Sequence, residues 1–283
     1  MPRKKLTILD LQKKRDRREP IVMVTAYDYP SGMLAEQADV DIILVGDSLG
    51  MVVHGLESTV SVTMEMMVLH CAAVVRAKSN AFLIGDMPFG SYEVSVEEGV
   101  RNAFRLMKEG GVDAIKLEGG AERANIIRAI VDAGIAVQGH IGLTPQSVSK
   151  LGGFKVQGKT AASARDLLQD ALALQAAGCF SIVLEAVPDR VAAHITDHLT
   201  IPTIGIGAGA GCSGQVLVWH DMLGLFARFQ PKFSKQFTDV GTAITTALQA
   251  FTAEVRAGQF PAQEHVFSIS DDEWNAFAGT ETT

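Results

Sequence analysis

Eight short runs of β-branched and aliphatic residues divide the chain, and their regular spacing limits the fold more than any other feature. They span 21–27, 41–47, 81–86, 114–118, 136–140, 181–185, 202–206 and 215–219. Between them the apolar residues switch to helical spacing. Val96, Val100, Ala103, Phe104 and Met107 recur this way over 95–109, as do Leu167, Leu168, Ala171, Leu172 and Leu174 over 161–177. Segments 31–38, 63–77, 121–133, 189–199 and 239–257 also read as helices, and Thr7 to Arg18 as a short one before the first strand. Asn80, Gly110, Gly134 and Gly178 stand where such helices should end. Eight strand–helix alternations in about 260 residues match a (β/α)8 TIM barrel in count and size. An open doubly wound sheet is the alternative.

Continuous Val, Ile and Leu runs suit parallel strands covered by helices. The 283 residues are 47% hydrophobic, enough for a sizeable buried core. No internal repeat and no linker rich in Pro, Gly or Ser breaks the pattern. Residues 1–268 therefore read as one barrel domain with an N-terminal helix, and 269–283 as a loose polar tail. The formal charge of −7 argues against a nucleic-acid partner. The basic residues at 3–5 and 13–18 read as a solvated helix face. Cys71, Cys179 and Cys212 form no C-x-x-C pair, as expected of a reduced, cytoplasmic protein. No apolar h-region opens the chain and no apolar run reaches membrane-spanning length, so no membrane association is expected.

Three of the strands end in a carboxylate followed by Gly or Pro: Asp47 in DIILVGDSLG, Asp86 in AFLIGDMPFG and Glu118 in DAIKLEGG. In a parallel barrel this edge is the ligand-binding rim. Three hard oxygen donors at one rim suit a divalent cation of the Mg²⁺ type, with one or two carboxylates bound directly and water or substrate oxygens completing the octahedron. The plainer alternative is that each acid caps a helix or sits in a turn. Lys116 shares a strand face with Glu118; it is either the partner of a neighbouring acid or a cation for an anionic substrate. His140 closes the fifth strand, as a hydrogen-bonded core residue or a substrate contact. Glu185 ends the sixth, and desolvation there would suit it to act as a general base, unless it serves the following helix as an N-terminal charge. Tyr27 and Ser48 also sit at strand ends and can donate to a bound oxygen.

Three other features carry less chemistry. His194 and His198 stand four apart with no third ligand in sight and read as helix-surface residues. The run IGIGAGAGCSG, 204–214, contains a G-x-G-x-x-G string, but a strand follows it where a dinucleotide site needs a helix. It reads as a tight seventh loop that could present backbone N–H groups to an anion. The long connection 141–163, with Gly152, Gly153 and Gly158, reads as a mobile lid or substrate-contacting flap.

The motifs TAYDYPSG, VGDSLGMVVHG, DMPFGSY, IKLEGG, GHIGLTPQSV, GGFKVQG, VLEAVP, IGIGAG and GQVLVWHD occur in unbroken order from about residue 6 to residue 267. Together they resemble the ketopantoate (3-methyl-2-oxobutanoate) hydroxymethyltransferase family. The resemblance implies a (β/α)8 barrel of the phosphoenolpyruvate/pyruvate type. It implies Mg²⁺ held by Asp47, Asp86 and Glu118. It implies that Asp47, Ser48, Asp86 and Lys116 bind the 2-oxo acid, with His140 and Tyr27 lining the pocket and Glu185 accepting a proton. The implied reaction moves a one-carbon unit from 5,10-methylenetetrahydrofolate to 3-methyl-2-oxobutanoate through a Mg²⁺-stabilised enolate, in pantothenate biosynthesis. A homo-oligomer, commonly a decamer, is implied as well. A folate-independent 2-oxo acid lyase on the same barrel and a non-catalytic anion-binding barrel are the competing readings.

Overall fold

The computed structural model describes residues 4–148, 153, 155–226, 228 and 231–279. Its strands are β1 Ile21–Thr25, β2 Ile42–Val45, β3 Phe82–Asp86, β4 Ala114–Lys116, β5 Val137–Gly142, β6 Ser181–Glu185, β7 Thr203–Ile206 and β8 Gly214–Leu217. They pair in parallel in sequence order, and β8 closes on β1. All eight expected runs are strands and the barrel is closed, so the open sheet is ruled out. The helices are α1 Ile8–Asp16, α2 Tyr29–Gln37, α3 Leu49–Val52, α4 Met64–Val75, α5 Val96–Arg105, α6 Ala124–Asp132, α7 Ala161–Ala177, α8 Asp189–His198, α9 Trp219–Leu223, α10 Val240–Arg256 and α11 Asp271–Ala278. Hydroxyl caps start several of them: Thr63 Oγ1, Ser95 Oγ and Thr160 Oγ1 accept from the third backbone N–H of α4, α5 and α7.

The two-residue period of the strands divides the core in two. Ile43, Val45, Leu83, Ile115, Ile182 and Leu184 point outward and pack with the helices. Ile42, Leu44, Phe82, Ile84, Ala114, Val183 and Ile204 point inward and fill the barrel together with Leu11 of α1. Continuing each inward series toward the C-terminal rim brings up Asp86 after Ile84, Lys116 after Ala114 and Glu185 after Val183. The same alternation that builds an apolar interior therefore delivers ionisable groups to its mouth.

Helix α1 closes the opposite end of the barrel. Its basic residues are not a freely solvated face, as expected from sequence; several are anchors. Lys14 pairs with Asp41 at 2.7 Å, and the Arg15 guanidinium donates to the Leu199 carbonyl. Lys5, just before the helix, pairs with Asp113 at 2.6 Å and donates to the Ala81 carbonyl at 2.7 Å. The partners lie at the N-terminal ends of strands, where a plug needs charge to hold it.

The helical layer departs from the expected eight-fold alternation. Residues 207–213 join β7 to β8 with no helix. The glycines allow this tight passage: Gly211 lies where a Cβ would come within 2.6 Å of Ala193 on α8. After β8 only the short α9 stays on the barrel. Helix α10 has no buried residue, and Ile244, Leu248, Phe251 and Val255 on it are 46–60% exposed. The stretch expected to be a loose tail carries α11, which Ser270 caps and whose first turn holds Asp271, Asp272 and Glu273. Cap and acids both favour helix there, a local signal that the low hydrophobicity of the tail masks.

Gly142 at the end of β5 has φ +96°, and a Cβ on it would lie 2.3 Å from the Glu185 carbonyl oxygen. That carbonyl accepts from Leu143 N–H at 2.8 Å. Gly142→Ala should therefore cost on the order of 2–4 kcal/mol in urea unfolding. A loss below about 0.5 kcal/mol would show that the β5–β6 rim can relax away from this contact.

Candidate active site

Five ionisable side chains at the mouth are almost fully enclosed: Asp47, Asp86, Lys116, Glu118 and His140 are each 5% exposed or less. Charges so buried must find partners. Asp86 follows directly along β3, and Lys116 pairs across to it on β4. Lys116 Nζ lies 2.7 Å from Asp86 Oδ1 and 3.3 Å from His140 Nδ1. His140 Nδ1 is 3.4 Å from Glu118 Oε1, and its Nε2 is 3.1 Å from Glu185 Oε2. The side chains form one line across β3, β4, β5 and β6. Glu185 is the most open of them, at 15% of its side chain.

A second layer holds the carboxylates in place. Gln146, in a short 3-10 turn after β5, donates its side-chain amide to Asp47 Oδ2 at 2.9 Å and to the Met87 carbonyl at 3.0 Å. Its backbone N–H donates to Glu118 Oε2 at 3.0 Å. Tyr92 OH donates to Gln146 Oε1 at 2.6 Å and accepts from Glu118 N–H at 3.2 Å. Asp47 N–H donates to Asp86 Oδ2 at 3.2 Å. Sequence reasoning missed Gln146 and Tyr92, although both lie inside the motifs GLTPQSV and DMPFGSY. A neutral amide and a phenol announce no chemistry by themselves.

The proton equilibria follow from this crowding. Burial, then the negative charges of Asp86 and Glu118, push the Asp47 carboxyl well above its usual range. Burial also raises Asp86, with Lys116 working against it. Lys116 is held above its ordinary value despite burial because Asp86, Glu118 and Asp47 surround it. For His140, burial and Lys116 favour the neutral ring, but the adjacent carboxylates of Glu118 and Glu185 prevail and bring it up to about 9. The ring is then an imidazolium between two carboxylates. Lys116 faces it as a like charge and is drawn instead to Asp86.

Above these groups lies a cavity of about 560 Å³. Asp47, Ser48, Asp86, Lys116, Glu118, His140 and Glu185 all line it. Tyr27 does not: it stands behind Ser48, with its OH 2.9 Å from Ser48 Oγ, and reaches the cavity only through that hydroxyl. Leu44, Val183, Ile206 and Val216 supply apolar wall. The long 141–163 connection contributes Pro145, Lys155 and Val156 to the lining; its residues 149–152 and 154 lie outside the described ones, and its expected mobility with them. Of the glycine-rich run only Ile206 lines this cavity. His194 and His198 are both exposed on α8 with their rings 4.2 Å apart, as expected of helix-surface residues.

Whether a divalent cation fits can be asked of the donors. Among the described residues no group of three His, Cys, Asp or Glu side chains forms a ready-made cage. Glu118 has one oxygen near His140 and the other on Gln146. Asp86 Oδ1, by contrast, is buried and completes no well-aligned hydrogen bond even though Lys116 lies close. Four carboxylates face two cationic side chains here, Lys116 and His140. Hard oxygens, surplus negative charge and an unsatisfied carboxylate oxygen fit a Mg²⁺-type ion held by two carboxylates and completed by water or substrate.

A closed parallel barrel whose ionisable side chains converge at its C-terminal mouth is the architecture of a (β/α)8-barrel enzyme. The backbone resembles that of phosphoenolpyruvate phosphomutase from Streptomyces platensis subsp. rosaceus, with TM-score 0.61 and 15% identity over 98% of this chain and 96% of that one. It also resembles 2,3-dimethylmalate lyase, a member of the PEP mutase/isocitrate lyase superfamily, with TM-score 0.59 and 16% identity over 97% and 95%. These likenesses are of fold. In sequence the chain is 54% identical to the 3-methyl-2-oxobutanoate hydroxymethyltransferase of Heliobacterium modesticaldum, over 95% of this chain and 98% of that one. It is 56% identical to the enzyme of the same name from Moorella thermoacetica, over 94% and 98%. Residues 5–263 match the family model for ketopantoate hydroxymethyltransferase. The chain belongs to the ketopantoate hydroxymethyltransferase family.

The elevated pKa of His140 has a measurable sign. Its ordinary value is 6.5 and its folded value about 9, so its stabilising contribution is complete below about pH 6.5 and fades as pH rises through about 9. Urea unfolding should show wild-type stability falling over that range by on the order of 1–3 kcal/mol. His140→Gln should flatten this slope. An identical slope in the variant would mean that the proton resides elsewhere.

Proposed function

We propose that the protein transfers a hydroxymethyl group from 5,10-methylenetetrahydrofolate to 3-methyl-2-oxobutanoate, giving 2-dehydropantoate for pantothenate biosynthesis. One observation carries the reading, together with the family membership: a buried Asp47–Asp86–Lys116–Glu118–His140–Glu185 network under a cavity with aliphatic walls. Lys116 is the buried cation available to the oxygens of the 2-oxo acid, and Ser48, backed by Tyr27, donates a further hydrogen bond. Leu44, Val183, Ile206 and Val216 surround the branched aliphatic end. Asp47 and Asp86, with charge from Glu118, would hold Mg²⁺, which when bound supplies Lewis-acid stabilisation of the charge that develops on the keto oxygen.

Glu185 removes the C3 proton. The His140 ring, 3.1 Å from its Oε2, positions the carboxylate by charge. Proton removal turns C3 into a nucleophile for the methylene carbon of the folate: the C–C bond forms as one C–N bond of the methylene bridge breaks, water replaces the other nitrogen on that carbon and supplies the hydroxyl, and tetrahydrofolate leaves with the protons on its nitrogens. Lys116 offsets part of the charge left on the oxo acid. The rest of the protein's task is to align the two substrates and shield C3 from protonation until the new C–C bond has formed, while one water is admitted to the transferred carbon to supply its hydroxyl.

Turnover of 3-methyl-2-oxobutanoate should require both the folate donor and Mg²⁺, and chelation should abolish it reversibly. With Mg²⁺ and no folate, the protein should exchange the C3 proton for deuterium, followed by proton NMR. Glu185→Gln should slow that exchange by a factor on the order of 10² or more while oxo-acid binding persists. Wild-type exchange in the Gln variant would move the base role to another group, His140 first. Turnover without folate would replace the transferase reading with a lyase.

The same reading includes a homo-oligomer, a decamer on family resemblance. The exposed α10 supports it: a lone helix accessible on every side is marginal in water, and Ile244, Leu248, Phe251 and Val255 form an apolar stripe along it. A second copy of the chain would cover that stripe. Phe251→Asp should lower the mass seen by sedimentation velocity; unchanged mass would remove α10 from the assembly surface.

A further inference from the structure

The cavity's lining is of two kinds. Beside the buried charged groups, Met51, Val52, Val218, Phe226 and Phe233 line it, and all five are half-buried rather than enclosed. Among these groups stands one carboxylate that the floor network does not use. Asp221 lies in the first turn of α9 and lines the same cavity. Its position is fixed from both ends of that helix. Trp219 N–H donates to Thr25 Oγ1 on β1 at 2.8 Å, and the Met222 carbonyl accepts from Phe237 N–H at 2.8 Å.

Burial alone pushes the Asp221 carboxyl up to about 6, with no hydrogen bond or cation among the described residues drawing it back. A rigidly held, partly desolvated carboxylate without donors is a cost to the free protein. A ligand that brings two adjacent N–H groups would remove that cost. Two lysines, Lys155 and Lys232, also line the cavity and are exposed. Neither bears on the Asp221 carboxyl, so they serve a different part of whatever binds. The site therefore presents an anion, an apolar slot and two separate cations.

We propose that this outer chamber is the subsite for the one-carbon donor, and that Asp221 recognises its ring. A 2-amino-4-oxopteridine carries N3–H and the 2-amino group side by side, matching the two oxygens of a carboxylate. Its flat pyrimidinone ring suits the slot of Met51, Val52, Val218 and Phe226, with the Met51 sulfur a favourable neighbour for the conjugated ring. The glutamate carboxylates at the far end of a folate pair with Lys155 and Lys232. Asp221 is in these terms a specificity-determining residue, and no bond to carbon is made or broken at it. The inference rests on the folate-dependent reading given above.

Asp221→Asn keeps the size of the side chain and replaces one acceptor oxygen with a donor. In the presence of Mg²⁺ and 3-methyl-2-oxobutanoate, calorimetry should show its affinity for tetrahydrofolate reduced about 10- to 100-fold. Affinity for the oxo acid should stay within about twofold, and KM for the folate should rise more than kcat falls. A second comparison avoids any question of folding, because it uses the wild-type protein. Its affinity for a 2-desamino-2-methyl analogue of tetrahydrofolate should be lower by a similar factor, and Asp221→Asn should no longer distinguish the two ligands. Equal wild-type affinity for both ligands would overturn the assignment of Asp221. So would an Asn variant that binds tetrahydrofolate normally, or one that loses the oxo acid instead. A wild-type protein that binds no tetrahydrofolate at all would fail differently, taking the folate reading down with the subsite.

Discussion

The contact between Lys116 and Asp86 organises the mouth of this barrel. An ammonium group within a strand, fully enclosed, is tolerable only beside a carboxylate, and Asp86 meets it at 2.7 Å from the neighbouring strand. Their positions follow from β3–β4 register, which sets Asp86 opposite Lys116. Once that pair is placed, the surplus acids on either side need further partners. His140 gains a proton between Glu118 and Glu185, and Gln146 and Tyr92 bind the oxygens and backbone groups that remain. A one-residue slip of β4 against β3 would turn Lys116 outward into the apolar layer under the helices, so register and electrostatics specify each other.

The network stays short of charge balance. Four carboxyl groups against a lysine and an imidazolium leave the floor with surplus acid, and among the described residues Asp86 Oδ1 has no well-aligned donor. A site that binds an anionic oxo acid cannot work from a net negative floor alone, which is why a divalent cation makes chemical sense there. Groups that raise one another's pKa values are poised by the protein and completed by what binds.

The outer layer shows a related incompleteness. The β7–β8 crossing carries no helix, and α10 stands away from burial with an apolar stripe exposed. At the other end α1 closes the barrel with Leu11 and a set of lysine and arginine anchors. One end is thus sealed within the chain, while the apolar stripe on α10 stays exposed. The active-site mouth is separate from the α1 end, so sealing the base leaves the ligand-binding rim unobstructed.

Much of this could be read from the residues alone, because it depends on short-range pattern. Short continuous runs of β-branched and aliphatic residues located all eight strands, and the carboxylates at strand ends marked the rim, since a strand end and its side-chain face are local properties. Glu185, His140 and Lys116 were legible for the same reason. Other features depend on groups far apart in the chain. Gln146 joins Asp47 across 99 residues, and nothing near either one signals the partnership. Tyr27 stands at a strand end as Asp47 does, yet packing puts Ser48 between it and the cavity. Asp221 gains its interest only where α9 turns it toward a chamber shared with Lys155 and Lys232. The tight glycine-rich passage between β7 and β8 was legible, whereas the capped α11 was a local pattern overlooked. The sequence by itself determined which strands form and at which end of the barrel the ionisable groups gather. Only the tertiary structure decided which of the rim groups touch, which proton each one keeps and which of them face the cavity, because burial and charge act through distances that the linear chain does not contain.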